Sequence, residues 1–247
     1  MSGHAPANMG KTRFLLHACD GTDLPLYIAS FDRNNNIDVL YERALRDGTI
    51  KNPVYVERFP PLPYDALTQD IANLWADKLE DFAKAARLTN KPGVFAIDDA
   101  YIAKGVLERA TAGQSPILGY RPKKGDRFDR KQTGEATQRL ANLIAGFTGT
   151  PLDVLTMWES RQNWGKDERG NDVPIPGSYH STMGEQFDFI FDGEIELKMK
   201  GKDYKVVVNW CRTAQEKAGM EFPAELGWQG LKKVLMASLP AAVEEIA

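Results

Sequence analysis

Ala5-Pro6-Ala7-Asn8-Met9-Gly10-Lys11-Thr12 and, far downstream, Val94-Phe95-Ala96-Ile97-Asp98-Asp99 are the two stretches that decide the fold. The first fits the phosphate-loop spacing, with Ala5 where glycine is more usual. In such a loop the backbone N–H groups around Met9 to Thr12 ring a β-phosphate at the start of a helix, Lys11 neutralises the β and γ oxygens, and the Thr12 hydroxyl binds Mg²⁺. The second is an apolar run closed by acids. It reads as a buried strand whose Asp98 meets the same ion from the other side. Ala5, Pro6, Ala7, Asn8, Met9, Gly10, Lys11, Thr12 and Arg13 are therefore the expected nucleotide-binding stretch, and Thr12 and Asp98 the expected metal ligands. Gly-Lys-Thr alone is weak, and only Met1 to His4 stand where a buried strand should precede the loop. The first core strand is thus expected to be missing or truncated at the N-terminus.

Outward from these two stretches, strands and helices alternate. Arg13 to Ala18 is apolar and helical, and Leu24 to Phe31 (LPLYIASF) reads as a buried strand. Ile37 to Arg46 is a helix, Val54 to Phe59 a strand, and Tyr64 to Arg87 a long helix with Leu67, Ile71, Leu74, Trp75, Leu79, Phe82 and Ala86 at helical spacing. A helix is expected from Ala100 to Ala110, another from Gly134 to Phe147, and a strand from Leu152 to Trp158. Gln162 to Gly184, rich in Gly, Pro and charge and without a period, is expected to be a long loop. Two alternating strands, Glu194 to Met199 and Tyr204 to Trp210, form a hairpin around Lys200-Gly201-Lys202-Asp203, and a last helix carries Leu226, Trp228, Leu231, Val234 and Leu235. This pattern predicts an α/β fold with a mainly parallel central sheet flanked by helices and a C-terminal antiparallel hairpin.

The chain has 247 residues, 43% of them hydrophobic, which suits a single domain spanning residues 1–247. A net charge of −3 means that any nucleic acid must be held by a local patch rather than by the field of the whole molecule. The two cysteines, Cys19 and Cys211, have no metal-ligand or disulfide spacing, and a reducing cytoplasm is the expected setting. His4, His17 and His180 suggest no catalytic constellation; His17 and Cys19 belong with the helix after the loop and His180 with the long loop. No run approaches the roughly 20 apolar residues of a membrane span, so no membrane is expected as a partner.

Hydrolysis needs a carboxylate to orient the attacking water. Asp32, at the end of LPLYIASF, and Asp99, beside the metal ligand, each suit that role and each equally suit capping the next helix or turn. Glu159, after LDVLTMW, is a third acid at a strand's C-terminal end, where α/β proteins gather their ligands. A sensing role is expected of it.

APANMGKT, LPLYIASFD, VFAIDDA, LDVLTMWES and IELKMKGKDYKVVVNWCR follow one another as in the RecA-type ATPase core. The chain most resembles the small RecA-like P-loop NTPases that bacteriophages and prophages encode for recombination. That resemblance implies ATP and Mg²⁺ as cofactors, Lys11 in catalysis, and Asp32 as the water-activating acid, although the family residue there is usually Glu. It implies that Arg212 reaches the γ-phosphate of the next subunit in a homo-oligomer, although Trp210 stands where a lysine is common; a solvated strand-end charge is the other reading of Arg212. It also implies action on single-stranded DNA in recombination or strand annealing, beside a single-strand-binding protein, in a bacterial or phage-infected cell.

The two irregular segments are where such proteins contact DNA. Tyr120, Arg121, Lys123, Lys124 and Arg127 interleave aromatic and cationic side chains, as stacking and phosphate neutralisation require, and Trp164, Lys166 and Arg169 do so more sparsely. Acids dilute both. A small-molecule P-loop kinase, with the Tyr120 to Lys131 segment as a lid, and a non-hydrolysing nucleotide-binding module of a replication or packaging complex are the competing expectations.

Overall fold

The computed structural model describes residues 1–5, 10–31, 36–60, 67–114, 130–183, 187, 190–200 and 203–237. Its strands are β1 (Ser2–Ala5), β2 (Leu26–Ser30), β3 (Val54–Arg58), β4 (Gly93–Asp98), β5 (Leu152–Lys166), β6 (Asp172–Ser181), β7 (Gly193–Lys200), β8 (Asp203–Cys211) and β9 (Glu221–Pro223). The helices are α1 (Lys11–Leu16), α2 (Asn36–Arg46), α3 (Gln69–Leu88), α4 (Ala100–Gln114), α5 (Arg130–Ala145) and α6 (Gly227–Met236). The strands lie in the order β3-β2-β4-β5-β1-β7-β8-β9, with β6 paired to β5 off that path. From β3 to β7 every pairing is parallel, and β7-β8-β9 is antiparallel. This is the mainly parallel α/β sheet with a C-terminal antiparallel hairpin that the sequence predicts.

Apolar side chains alternate between the two faces of the sheet. Phe95 and Ile97 join α3, α4 and α5 in one core, while Val94 and Ala96 join α1, α2 and α6 in the other. The long helix α3 opens on Thr68, whose hydroxyl accepts from Ile71 N at 3.3 Å, and buries Ala72, Ala76, Leu79, Ala83 and Ala86 along one stripe. Four of these five are alanines, which lets the helix lie close to its neighbours. At the far end α6 is tied to β5: Trp228 Nε1 and Lys232 Nζ donate to Asp153 Oδ2 at 2.9 and 2.8 Å.

Two expectations change. The stretch before the phosphate loop, expected to lack a core strand or hold a truncated one, forms the four-residue strand β1, buried between β5 and β7. At Gly3 the space admits no side chain. A Cβ on Gly3 would come within 2.8 Å of Met157 Sδ and 3.1 Å of Ile195 Cγ1. The expected long loop from Gln162 to Gly184 is instead largely a β-hairpin: β5 runs on from Trp158 to Lys166, turns at Asp167–Asn171 and returns as β6. Beyond Ser160 this hairpin leaves the core, so neither of its faces needs an apolar row and no period marks it. A register shift between Gln162 and Trp164 interrupts the alternation further. The Asp167 carboxylate organises the turn by accepting from Arg169 N and Asn171 N at 2.9 and 2.8 Å. His180 lies within β6, 2.6 Å from Asn163 Oδ1, rather than in a loop. Among the described residues no helix is long and apolar enough to cross a membrane.

Candidate functional site

β1 and β4 are separated by β5, and their C-terminal ends lie on the same edge of the sheet. The chain leaves β1 at buried Ala5 and enters α1 through Gly10, whose φ of +77° is a conformation that glycine takes at little cost. Lys11 and Thr12 are the first two residues of α1. Asp98 is the last of β4 and, two positions beyond Ala96, points to the face that α1 covers. There the Thr12 hydroxyl donates to Asp98 Oδ2 at 2.7 Å. Lys11 Nζ rests 3.5 Å from the carbonyl of Trp158 in β5. The loop lysine and hydroxyl and the strand-end acid, distant in sequence, thus meet at one sheet edge. Pro6, Ala7, Asn8 and Met9 lie outside the described residues.

The other expected acids divide. Asp99 sits at φ +64°, a strained conformation for a non-glycine residue, and its Oδ1 accepts from Ile102 N at 3.2 Å, so it caps α4. Glu159 stands opposite Ala5 in the β1–β5 register, and two positions beyond Met157 it shares the face of Asp98 and Thr12. Its carbonyl accepts from Thr182 N and Oγ1 at 3.0 and 2.9 Å, holding the return of the β5–β6 hairpin. Asp32 lies outside the described residues. Arg212 follows β8 at the opposite sheet edge, where Cys211 pairs with Gly193, and its Nη2 donates to Phe191 O at 3.3 Å. It therefore stands apart from Lys11, Thr12 and Asp98 of its own chain.

A buried polar network missed from the sequence stands one residue before the loop. His4, 2% exposed, lies with Nδ1 2.8 Å from Ser160 Oγ and Nε2 2.9 Å from Asn209 Nδ2, while Glu194 Oε1 is 3.8 Å from Nε2. The Asn209 amide donates to Nε2, which leaves Nδ1–H to donate to Ser160. Burial, with the charges of Lys198, His180 and Lys11 adding to it, pushes the His4 pKa down to about 4. The ring is therefore neutral at pH 7. One imidazole thereby joins the strand that carries the loop to the strand that carries the hairpin. A signal for it was present, a histidine inside a run of small residues, but its partners come from three distant segments. Burial also raises the Cys19 thiol to about 12, which keeps it protonated and unreactive.

Three of the expected DNA-contacting residues are described. Trp164 is 63% exposed on β5, Lys166 pairs with Asp172 at 2.7 Å, and Arg169 lies at the exposed hairpin turn. Tyr120, Arg121, Lys123, Lys124 and Arg127 lie outside the described residues.

No protein-family model and no curated protein matches the chain. A solved structure of a prototypical ATPase from the type III secretion system of pathogenic bacteria resembles it with a TM-score of 0.45 and 14% identity, over 80% of this chain and 50% of that one. The chain spans about half the length of that protein. The strand order carries the fold without that likeness.

The Thr12 hydroxyl and the Asp98 carboxylate are hard oxygen donors of the kind that Mg²⁺ takes beside phosphate and water. Among the described residues no group of three or more His, Cys, Asp or Glu is placed to hold an ion alone. The residues present therefore fit an ion that shares its ligands with a bound phosphate chain.

Proposed function

We propose that this chain binds ATP and Mg²⁺ between Gly10–Arg13 and Asp98 and hydrolyses the nucleotide, in the service of an activity on single-stranded DNA. The 2.7 Å contact between Thr12 and Asp98 carries this reading. It gathers, at the C-terminal edge of a parallel sheet, a hydroxyl and a carboxylate that stand 86 residues apart in sequence. Bound Mg²⁺ would neutralise charge on the β- and γ-phosphates. Lys11 would leave the Trp158 carbonyl to meet the same oxygens, and Glu159, on the shared face beside Ala5, is the described acid best placed to orient water. Arg212 would serve only a neighbouring copy in a homo-oligomer.

The DNA part of the proposal rests on the β5–β6 hairpin. It rises from the same sheet edge and presents Trp164, Lys166 and Arg169. A role in recombination or strand annealing beside a single-strand-binding protein would follow from it. Phosphate release by the wild type and by Lys11→Ala, each with and without single-stranded DNA, tests both parts. Release that DNA stimulates and that the variant lacks is expected. A variant as active as the wild type would remove the site, absence of stimulation across several DNAs and salts would remove the DNA role, and label transferred to an acceptor instead of released phosphate would make the protein a kinase.

A further inference from the structure

Glu159, the described acid best placed to orient water, stands where the sheet ends. β4 pairs with β5 only as far as Thr156, opposite Ile97, so at Trp158 and Glu159 the strand pairs with β1 alone, through His4 and Ala5. Ser160 already belongs to the hairpin, paired with Ser181. Among the described residues the Glu159 carboxylate has no hydrogen bond or ion pair of its own, so its aim depends on how its backbone is set. That backbone is held on three sides. Lys11 Nζ lies 3.5 Å from the Trp158 carbonyl, Thr182 Oγ1 donates to the Glu159 carbonyl at 2.9 Å, and His4 Nδ1 lies 2.8 Å from Ser160 Oγ. Asn209 fixes the imidazole in turn. Its Nδ2 lies 2.9 Å from His4 Nε2 and 3.4 Å from Glu194 Oε2, and the end of an amide that faces a carboxylate is the donor end. Nε2 therefore accepts, and Nδ1–H donates to Ser160. His4 shares its sheet face with Trp158, whereas Glu159 and Asp98 look out from the other, so the imidazole stands across the sheet from the phosphate site.

We propose that His4 is a positioning residue for hydrolysis: through Ser160 it fixes the end of β5 so that Glu159 is aimed at the attacking water. This rests on the role given to Glu159 in the proposed function. The phosphates are held by Gly10 to Arg13 and Asp98, so a Glu159 that drifts leaves nucleotide binding as it was. What is lost is alignment in the transition state, where a displacement of about 1 Å can cost on the order of 100-fold in rate. Loss of the His4–Ser160 bond therefore lowers kcat and leaves KM alone.

Steady-state phosphate release by the full chain with Mg²⁺, measured against ATP concentration, tests the assignment. Ser160 is half-buried, so Ser160→Ala removes the hydroxyl without emptying the core. It should lower kcat at least about fivefold and hold KM within about twofold, while Ser160→Thr, which keeps the hydroxyl, should stay within about twofold in both. His4→Gln should lower kcat at least as far as Ser160→Ala. Glu159→Gln should lose at least about 100-fold, and adding Ser160→Ala to it should change kcat by less than about twofold, because the link acts only through the carboxylate. A Ser160→Ala protein with unchanged kcat would overturn the proposal, as would one that raises KM alone or one that lowers the Glu159→Gln rate by its full factor. Glu159→Gln as active as the wild type would remove the acid, and a wild type that releases no phosphate would remove hydrolysis. Either takes the proposal with it, and each is distinct from a His4 that fails to position Glu159.

Discussion

Thr12 Oγ1 donates to Asp98 Oδ2 across 2.7 Å, joining the second residue of α1 to the last residue of β4. If this pair holds Mg²⁺, Thr12→Ala and Asp98→Asn should each lower metal-dependent phosphate release by at least about 100-fold, since the ion-bound phosphates carry much of the charge that develops in the reaction. Thr12→Ser keeps the oxygen and should stay within about tenfold. The fold should survive Thr12→Ala, at a cost of about 1–3 kcal/mol for one hydrogen bond to a charged group. Phosphate release titrated with Mg²⁺, alongside urea unfolding, separates the two effects.

His4 predicts a pH dependence. Its pKa lies at about 4 in the folded chain, against the ordinary value of 6.5 for an exposed histidine. As pH falls below 6.5 the unfolded chain takes up a proton that the folded chain refuses, so stability drops between pH 6.5 and about 4 and His4 adds no further loss below that. The full drop is on the order of 3 kcal/mol. Carboxylates also titrate in this window, so the quantity to measure is the difference between the wild type and His4→Gln in urea at pH 7.5 and pH 4.5. The variant should be less stable at pH 7.5, and the gap should narrow or reverse at pH 4.5. A gap that does not change with pH would contradict a neutral buried His4.

What the sequence revealed and what it hid follow from where each residue's partners lie. LPLYIASF and VFAID are apolar on both faces because helices cover both sides of a parallel sheet, and an unbroken apolar run signals such a strand from its own residues. Ser2-Gly3-His4-Ala5 carries no such signal. What makes it a strand is the narrow gap between Met157 and Ile195, residues that only the fold brings there. The β5–β6 hairpin is hidden for the opposite reason, because it is too exposed for burial to impose a pattern. In the site, Lys11, Thr12 and Asp98 were legible as local motifs ahead of any contact. The His4–Asn209 and His17–Asp20 pairs were not, since a histidine states its role only through its partner.

Gly10 should tolerate no side chain. At φ +77° an alanine costs about 1–2 kcal/mol in backbone strain, and its methyl would press on the Tyr204 ring at 3.2 Å. Gly10→Ala should therefore lose about 1–3 kcal/mol of stability and at least tenfold in nucleotide affinity. Titration of ATP against a folded sample of the variant checks this, and unchanged affinity would separate the loop from the nucleotide.

The hairpin should matter to DNA and little to folding. Trp164 is 63% exposed and the Lys166–Asp172 pair is solvated on both sides, so Trp164→Ala and Lys166→Ala should each change stability by no more than about 0.5 kcal/mol. If the hairpin grips single-stranded DNA, Trp164→Ala should cost about 1–3 kcal/mol of affinity. Removing Lys166 and Arg169 together should flatten the plot of log affinity against log salt by up to about 1.4, at roughly 0.7 per phosphate contact. Salt titrations with a fluorescent oligonucleotide measure both, and slopes that match the wild type would place the DNA elsewhere.

Gly227 should be the least replaceable glycine of the α6 junction. Its φ of 58° and ψ of −175° fall in a region that only glycine occupies readily, and a Cβ there would run into the His17 carbonyl oxygen. Strain and collision act together, because the backbone cannot relieve one without moving α6 away from α1. Such a shift would also pull Gln229 N from Ala18 O, now 3.1 Å apart, and Trp228 from Asp153. Gly227→Ala should therefore cost at least about 3 kcal/mol, more than the 1–3 kcal/mol expected of Gly10→Ala, whose neighbour is a movable ring rather than backbone. Urea midpoints for the two variants give the ranking, and a Gly227→Ala protein as stable as the wild type would show that α6 does not press on α1 in this way.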